Sequence, residues 1–247
     1  MRTLKLTLQY DGSNYVGWQR QPAGQSVQGL IEDALLPIES GAVTVHGAGR
    51  TDAGVHALGQ VASVSLGASL DAATLGRAMN AVLPEDVRII QVDEVAPSFH
   101  ARFDARAKTY EYRILNAPFA DAFMFRYAWH IPQPLDFERM RDAAGPLVGR
   151  HDFAAFQGSG SVVQSTERTI EDIAWEAGGS FDRPLVFRVT GDGFLRHMVR
   201  NIVGTLVEVG AGRLASAQLL DILASRSRAQ AGRTAPARGL FLAQVRY

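Results

Sequence analysis

Apolar and polar side chains alternate from the first residues of the chain. In MRTLKLTLQY, Leu4, Leu6, Leu8 and Tyr10 interleave with Lys5, Thr7 and Gln9, the period of a half-buried strand rather than the unbroken apolar run of a leader peptide. The period then changes. Ser26 stands at a capping position ahead of Val27, Leu30, Ile31, Ala34, Leu35 and Ile38, whose spacing predicts a helix with one core face. Strands are expected near residues 59–66 and 87–95, with a helix near 70–82 stopped by Pro84 between them.

APSFHARFDARA, residues 96–107, interrupts this periodicity and marks a junction, so two halves are expected, 1–104 and 105–247. In the second half KTYEYRIL alternates again and puts Tyr110, Tyr112 and Ile114 on one face of a strand. A helix near 135–145 and strands near 168–176 and 184–190 follow. FLRHMVRNIVGTLVEVG reads as helix throughout, with Met198, Ile202, Leu206 and Val209 as its apolar stripe and Arg196 and Arg200 sharing another face. A helix near 215–224 and a strand near 239–246 close the chain. Both halves are mixed α and β, without a recognisable sequence repeat between them.

Composition narrows the chemistry. With 247 residues and 47% hydrophobic content the chain can bury a full core, and no segment approaches membrane-spanning length. The absence of cysteine removes disulfides, thiol nucleophiles and Cys-zinc sites together. Twenty-five basic residues balance twenty-five acidic ones, so net charge does not point to a nucleic acid. The distribution is uneven, however. Residues 222–247 hold five arginines and no acid, and Arg102, Arg106, Lys108 and Arg113 form a second basic cluster. Only two of the basic residues are lysine; arginine suits phosphate and base contacts, and a GC-rich genome would favour the same bias.

The stretch HGAGRTDAGVHA, His46 to Ala57, presents a single carboxylate, Asp52, on a backbone rich in glycine. Glycine opens turns closed to other residues and lets a ligand approach the main chain; a turn in which Asp52 merely bonds its own backbone fits the same composition. Several site classes fail here. Gly49 and Gly54 have P-loop spacing, but Val55 and His56 stand where Lys and Ser or Thr would hold phosphate and magnesium. A dinucleotide fingerprint from Gly47 needs a small residue where Asp52 sits. The six histidines lack metal-ligand spacing, and no GxSxG elbow occurs. What remains is one carboxylate near arginines. Such a group can serve as a covalent nucleophile if it stays ionised, and a guanidinium about 4 Å away would supply roughly 4 kcal/mol of attraction at an effective dielectric of about 20.

GRTDAGVHA (Gly49 to Ala57), with YDGSNYVGWQRQ, KTYEYRI, MVRNIVG and TAPARGLFL, closely resembles the tRNA pseudouridine synthase A family, in the family's order and over nearly the whole chain. The resemblance implies isomerisation of uridine to pseudouridine at positions 38, 39 and 40 of the tRNA anticodon stem-loop, without cofactor or metal. It makes Asp52 the nucleophile, Arg50 a holder of RNA and the flipped nucleotide, Tyr110 the ring that stacks on the target base, and Arg200 the partner of the catalytic carboxylate. It implies an α+β fold of two ferredoxin-like halves sharing one mostly antiparallel sheet, with helices on one face and an RNA cleft on the other. It further implies a homodimer with tRNA as partner; the absence of a leader-like or membrane-length apolar run makes cytoplasm without membrane association the expected location.

These roles suit the physics of the reaction. A paired uridine must leave its stack at a cost of a few kcal/mol, and stacking on an aromatic ring returns about 1–3 kcal/mol per base. Tyr112, on the same strand face as Tyr110, is expected in the core, and Trp18 either touches RNA or anchors a hairpin. Two departures stand out: Ser63 and Val64 follow GQVA where many relatives carry His and an aromatic residue, and Arg233 occupies the variable place in AGxTAPA.

Overall fold

The computed structural model describes residues 1–39, 41–160, 163–178 and 183–247. The chain divides into two compact units, Met1–Arg106 with Phe241–Tyr247, and Ala107–Leu240.

In the first unit, strands β1 (Arg2–Tyr10), β2 (His46–Gly47), β3 (His56–Leu66) and β4 (Val87–Val95) alternate with helices α1 (Val27–Glu39) and α2 (Ala72–Val82). β1 lies between β4 and β3, antiparallel to both, and β2 pairs with the far side of β3. Leu4, Leu6 and Leu8 are fully buried, and burying each such side chain contributes about 1.5–3 kcal/mol. Ser26 accepts the Gly29 N–H at the start of α1, and Asp71 accepts that of Thr74 in α2, the side-chain caps that satisfy first-turn donors. The register between β1 and β3 shifts between Leu8 and Tyr10; a bulge of this kind re-aims the residue beyond it.

In the second unit, β5 (Ala107–Asn116), β6 (Trp129–Ile131), α3 (Phe137–Ala144), β7 (Gly149–Asp152), β8 (Glu167–Glu176), β9 (Leu185–Gly191), α4 (Met198–Gly210) and α5 (Gln218–Ser225) follow in order. β5, β9, β8 and β7 are successive antiparallel neighbours, and β6 runs parallel to β5. The last strand, β10 (Leu240–Arg246), pairs in parallel with β3 through Phe241 and Leu242. The fold is therefore mixed α/β, as the alternating patterns predict, with the mostly antiparallel strands that the family resemblance implies.

One expectation fails. Phe194 to His197 are not helical, because His197 takes a left-handed conformation (φ 60°) and α4 begins only at Met198. Arg196 consequently shares no helix face with Arg200. It turns to the Ser159 carbonyl instead, at 2.9 Å.

Candidate active site

Asp52 sits in the loop between β2 and β3, half-buried, with Arg50 exposed two residues before it. Three residues of the loop, Thr51, Asp52 and Gly54, are tied to the segment after β1. Gly17 and Asp52 form an isolated antiparallel bridge. Trp18 donates its N–H to Thr51 O at 3.0 Å, Gly54 donates to Tyr15 O at 3.4 Å, and Val55 closes a turn on Asp52 O at 3.1 Å. Gly54 takes φ +75°, which favours glycine at the turn. At the entry to the loop, Ala48 N–H bonds Val61 O at 2.7 Å, and Gln60 Nε2 donates to Gly49 O at 2.8 Å.

Side chains complete the frame. Tyr10, beyond the β1 bulge, pairs its hydroxyl with Thr51 Oγ1 at 2.8 Å. Burial pushes the Tyr10 phenol up to about 12, against the opposing effect of its hydrogen bonds with Thr51 and Gln60. Tyr15 is likewise pushed up, first by burial and then by its hydrogen bond to the Asp86 carboxylate. Trp18 is 2% exposed and its ring fills the space where a side chain at Gly47 would be: a Cβ there would lie 2.4 Å from Trp18 Cε2. Of the two roles open to Trp18, anchoring is the one its burial supports. YDGSNYVGWQRQ and GRTDAGVHA are thus two halves of one local structure.

Tyr110 and Arg200 belong to the other unit. Tyr110, on β5, is 7% exposed, and its ring meets that of Phe194 edge-to-face at 5.1 Å and 80°. Tyr112 is fully buried and donates its hydroxyl to Pro236 O at 2.8 Å; burial raises its phenol although Arg200, Arg238 and Arg233 act in the opposite sense. Tyr112 is core, as expected. Arg200, in the first turn of α4 and half-buried, donates Nε to Ala235 O at 2.7 Å, while Ala235 returns its N–H to Arg200 O at 3.1 Å.

Sequence reasoning missed the network beside that pair. Asn201, fully buried, donates Nδ2 to Phe156 O at 2.7 Å and accepts at Oδ1 from Thr234 Oγ1 (2.7 Å) and Arg228 Nη2 (3.1 Å). Burial lowers the Arg228 guanidinium. The network joins MVRNIVG to TAPARGLFL, and the signal was their joint occurrence, which helical spacing alone does not explain. Arg233, the departure noted in the sequence, lies 4.7 Å from the Trp129 ring centre and 3.8 Å from Glu208. Ser63, the other departure, accepts the Ala101 N–H at 3.1 Å.

Among the described residues no helix is long and apolar enough to cross a membrane. Residues 7–104 and 143–247 match the family model described as tRNA pseudouridine synthase. Proteins called tRNA pseudouridine synthase A are similar over the whole chain: one from Moorella thermoacetica is 49% identical over 249 residues, covering all of both chains. One from Acetivibrio thermocellus is 44% identical, again covering all of both. A third, from Halalkalibacterium halodurans, is 42% identical over 98% of this chain and 91% of its own.

Proposed function

Since the chain belongs to the tRNA pseudouridine synthase family and isomerises uridine in tRNA to pseudouridine, we propose that it acts at positions 38, 39 and 40 of the anticodon stem-loop with Asp52 as nucleophile. The isomerisation breaks the bond between uracil N1 and the sugar, turns the ring, and makes a bond from the same sugar carbon to C5. The proton on C5 leaves and N1 gains one, so the product has the atoms of the substrate. No redox partner is needed.

The observation that carries the assignment is the way the Asp52 loop is built. Between Ala48 and Val55 its backbone is bonded by β3 and by the segment between β1 and α1, while Asp52 stays half-buried rather than enclosed. A carboxylate held on a fixed backbone loses little freedom on meeting a nucleotide, which is what positioned nucleophiles require.

Arg50, exposed in the same loop, is the proposed phosphate contact near the flipped nucleotide, because arginine on phosphate holds register without reading sequence. Tyr110 is the proposed platform for the extruded uracil. Its ring is already ordered by Phe194, so stacking would cost little rotamer entropy. Arg200 is the proposed charge partner of the catalytic carboxylate; its Nε is fixed on Ala235 O, which orients the guanidinium. The working form proposed is a cytoplasmic homodimer on one tRNA.

The positional assignment is tested by chemical mapping of pseudouridine in an unmodified tRNA anticodon arm incubated with purified protein. Conversion at 38, 39 and 40 is expected. Conversion restricted to other tRNA positions would refute the positional claim and leave the family activity standing.

A further inference from the structure

Residues 96–106 carry an array of rings that the reaction described above does not use. Phe103 is 75% exposed. Its ring centre lies 4.3 Å from that of His100, and the His100 ring lies 4.9 Å from that of His46, both pairs tilted by 33°. The Arg102 guanidinium carbon sits 5.8 Å from the Phe103 ring centre. An aromatic residue left in water is unremarkable on a loose loop, but this loop is closely bonded. His100 N–H donates to Asp104 Oδ2 at 2.8 Å, and Asp104 N–H returns to His100 O at 3.1 Å. His100 Nδ1 accepts from the Arg102 and Phe103 N–H groups.

The base of the array is fixed as well. Ala101 is buried with Ala48 and Val61, and Phe99, Val245 and Tyr247 pack against them. Tyr247 donates its hydroxyl to Ala101 O at 2.8 Å. Ala48 is the residue where the Asp52 loop begins, so the array and the proposed nucleophile stand on one support. The charge around the rings is positive: Arg102, Arg106 and Arg246 are exposed, and the Arg106 N–H bonds Arg246 O. The segment's one carboxylate, Asp104, already accepts the His100 N–H.

We propose that Phe103, with His100 and His46 behind it and Arg102 beside it, is a stacking platform for an unpaired base of the tRNA substrate other than the reacting uridine. Rigid exposed aromatic rings next to guanidinium groups are the chemistry by which proteins hold splayed single-stranded bases and their phosphates. An acidic or apolar protein partner would leave either the rings or the arginines unused. The inference rests on tRNA being the substrate.

The test compares the full-length parent protein with Phe103→Ala, Phe103→Trp and Arg102→Gln in tRNA pseudouridylation and in direct tRNA binding at fixed salt. Phe103→Ala should raise both KM and Kd by about 5- to 150-fold, the alanine-substitution value of one base stack, with kcat unchanged. Phe103→Trp should return both to within about 2-fold of the parent, and Arg102→Gln should reduce the salt slope of binding by about 1. Thermal unfolding should be the same for all four, since Phe103 lies outside the core. Unchanged KM and Kd in Phe103→Ala would overturn the proposal, as would loss of self-association with RNA affinity intact, which would make the rings a protein contact. If the parent bound tRNA without converting any uridine, the functional reading would fail, while a Phe103 effect on Kd would still support the platform.

Discussion

Gly17 and Asp52 face each other across a lone antiparallel bridge, so the main chain of the proposed nucleophile is set by a glycine from a different loop. Gly17 takes φ +111°, and a Cβ there would lie 2.5 Å from Thr51 O. Gly17→Ala should therefore cost about 1–3 kcal/mol from backbone strain alone, lowering the melting temperature by about 2–10 °C, and kcat should fall more than tRNA affinity does. Gly145→Ala, at a position with nothing within 4 Å, is the control and should change neither. Calorimetry and initial rates on the two variants decide it.

The Tyr10 phenol predicts an alkaline limit to stability. Its folded value, about 12, lies above the ordinary value of about 10, so the neutral phenol favours the folded state. That contribution is complete below about pH 10 and is lost as pH rises toward about 12. Urea unfolding between pH 9 and 12 should show stability falling more steeply in the parent than in Tyr10→Phe. Tyr15, Tyr112 and Tyr247, also raised by burial, should leave a residual slope in the variant; identical slopes in the two proteins would contradict the assignment.

Asn201 should be costly to remove. Asn201→Ala takes away the partner of Phe156 O and the acceptor shared by Thr234 and Arg228, and buried polar groups left without partners cost about 1–3 kcal/mol each. A loss on the order of 3 kcal/mol in denaturant unfolding is expected. Because Arg200 and Ala235 are neighbours of this network, activity per folded molecule should fall too.

At Tyr110 the ring and the hydroxyl can be separated. Tyr110→Phe keeps the ring packed on Phe194 and should retain most of kcat/KM. Tyr110→Leu should lower it by about 5- to 150-fold, the equivalent of one base stack. Equal losses in both variants would shift the role to the hydroxyl.

The long elements were legible because their burial is periodic: Leu4, Leu6 and Leu8 in β1, and Val27, Ile31, Ala34 and Leu35 in α1, mark one face over several repeats. β2, β6 and β7 were not legible, since strands of two to four residues are too short to show a period. The start of α4 was misread because Phe194 and Leu195 continue its apolar run, while the left-handed turn at His197 leaves no mark in hydropathy. At the site, composition offered Asp52 only as one residue in a glycine-rich loop. The bridge to Gly17, the Tyr10–Thr51 pair and the Asn201 network depend on contacts between distant segments, which spacing along the chain does not report.

The most direct measurement is single-turnover pseudouridine formation by Asp52→Asn alongside its affinity for the same unmodified tRNA. The amide keeps the shape of the side chain and removes its nucleophilic charge. Binding within about threefold of the parent with conversion reduced at least about 10³-fold is predicted; conversion within about tenfold of the parent would contradict the assignment of Asp52 as the nucleophile.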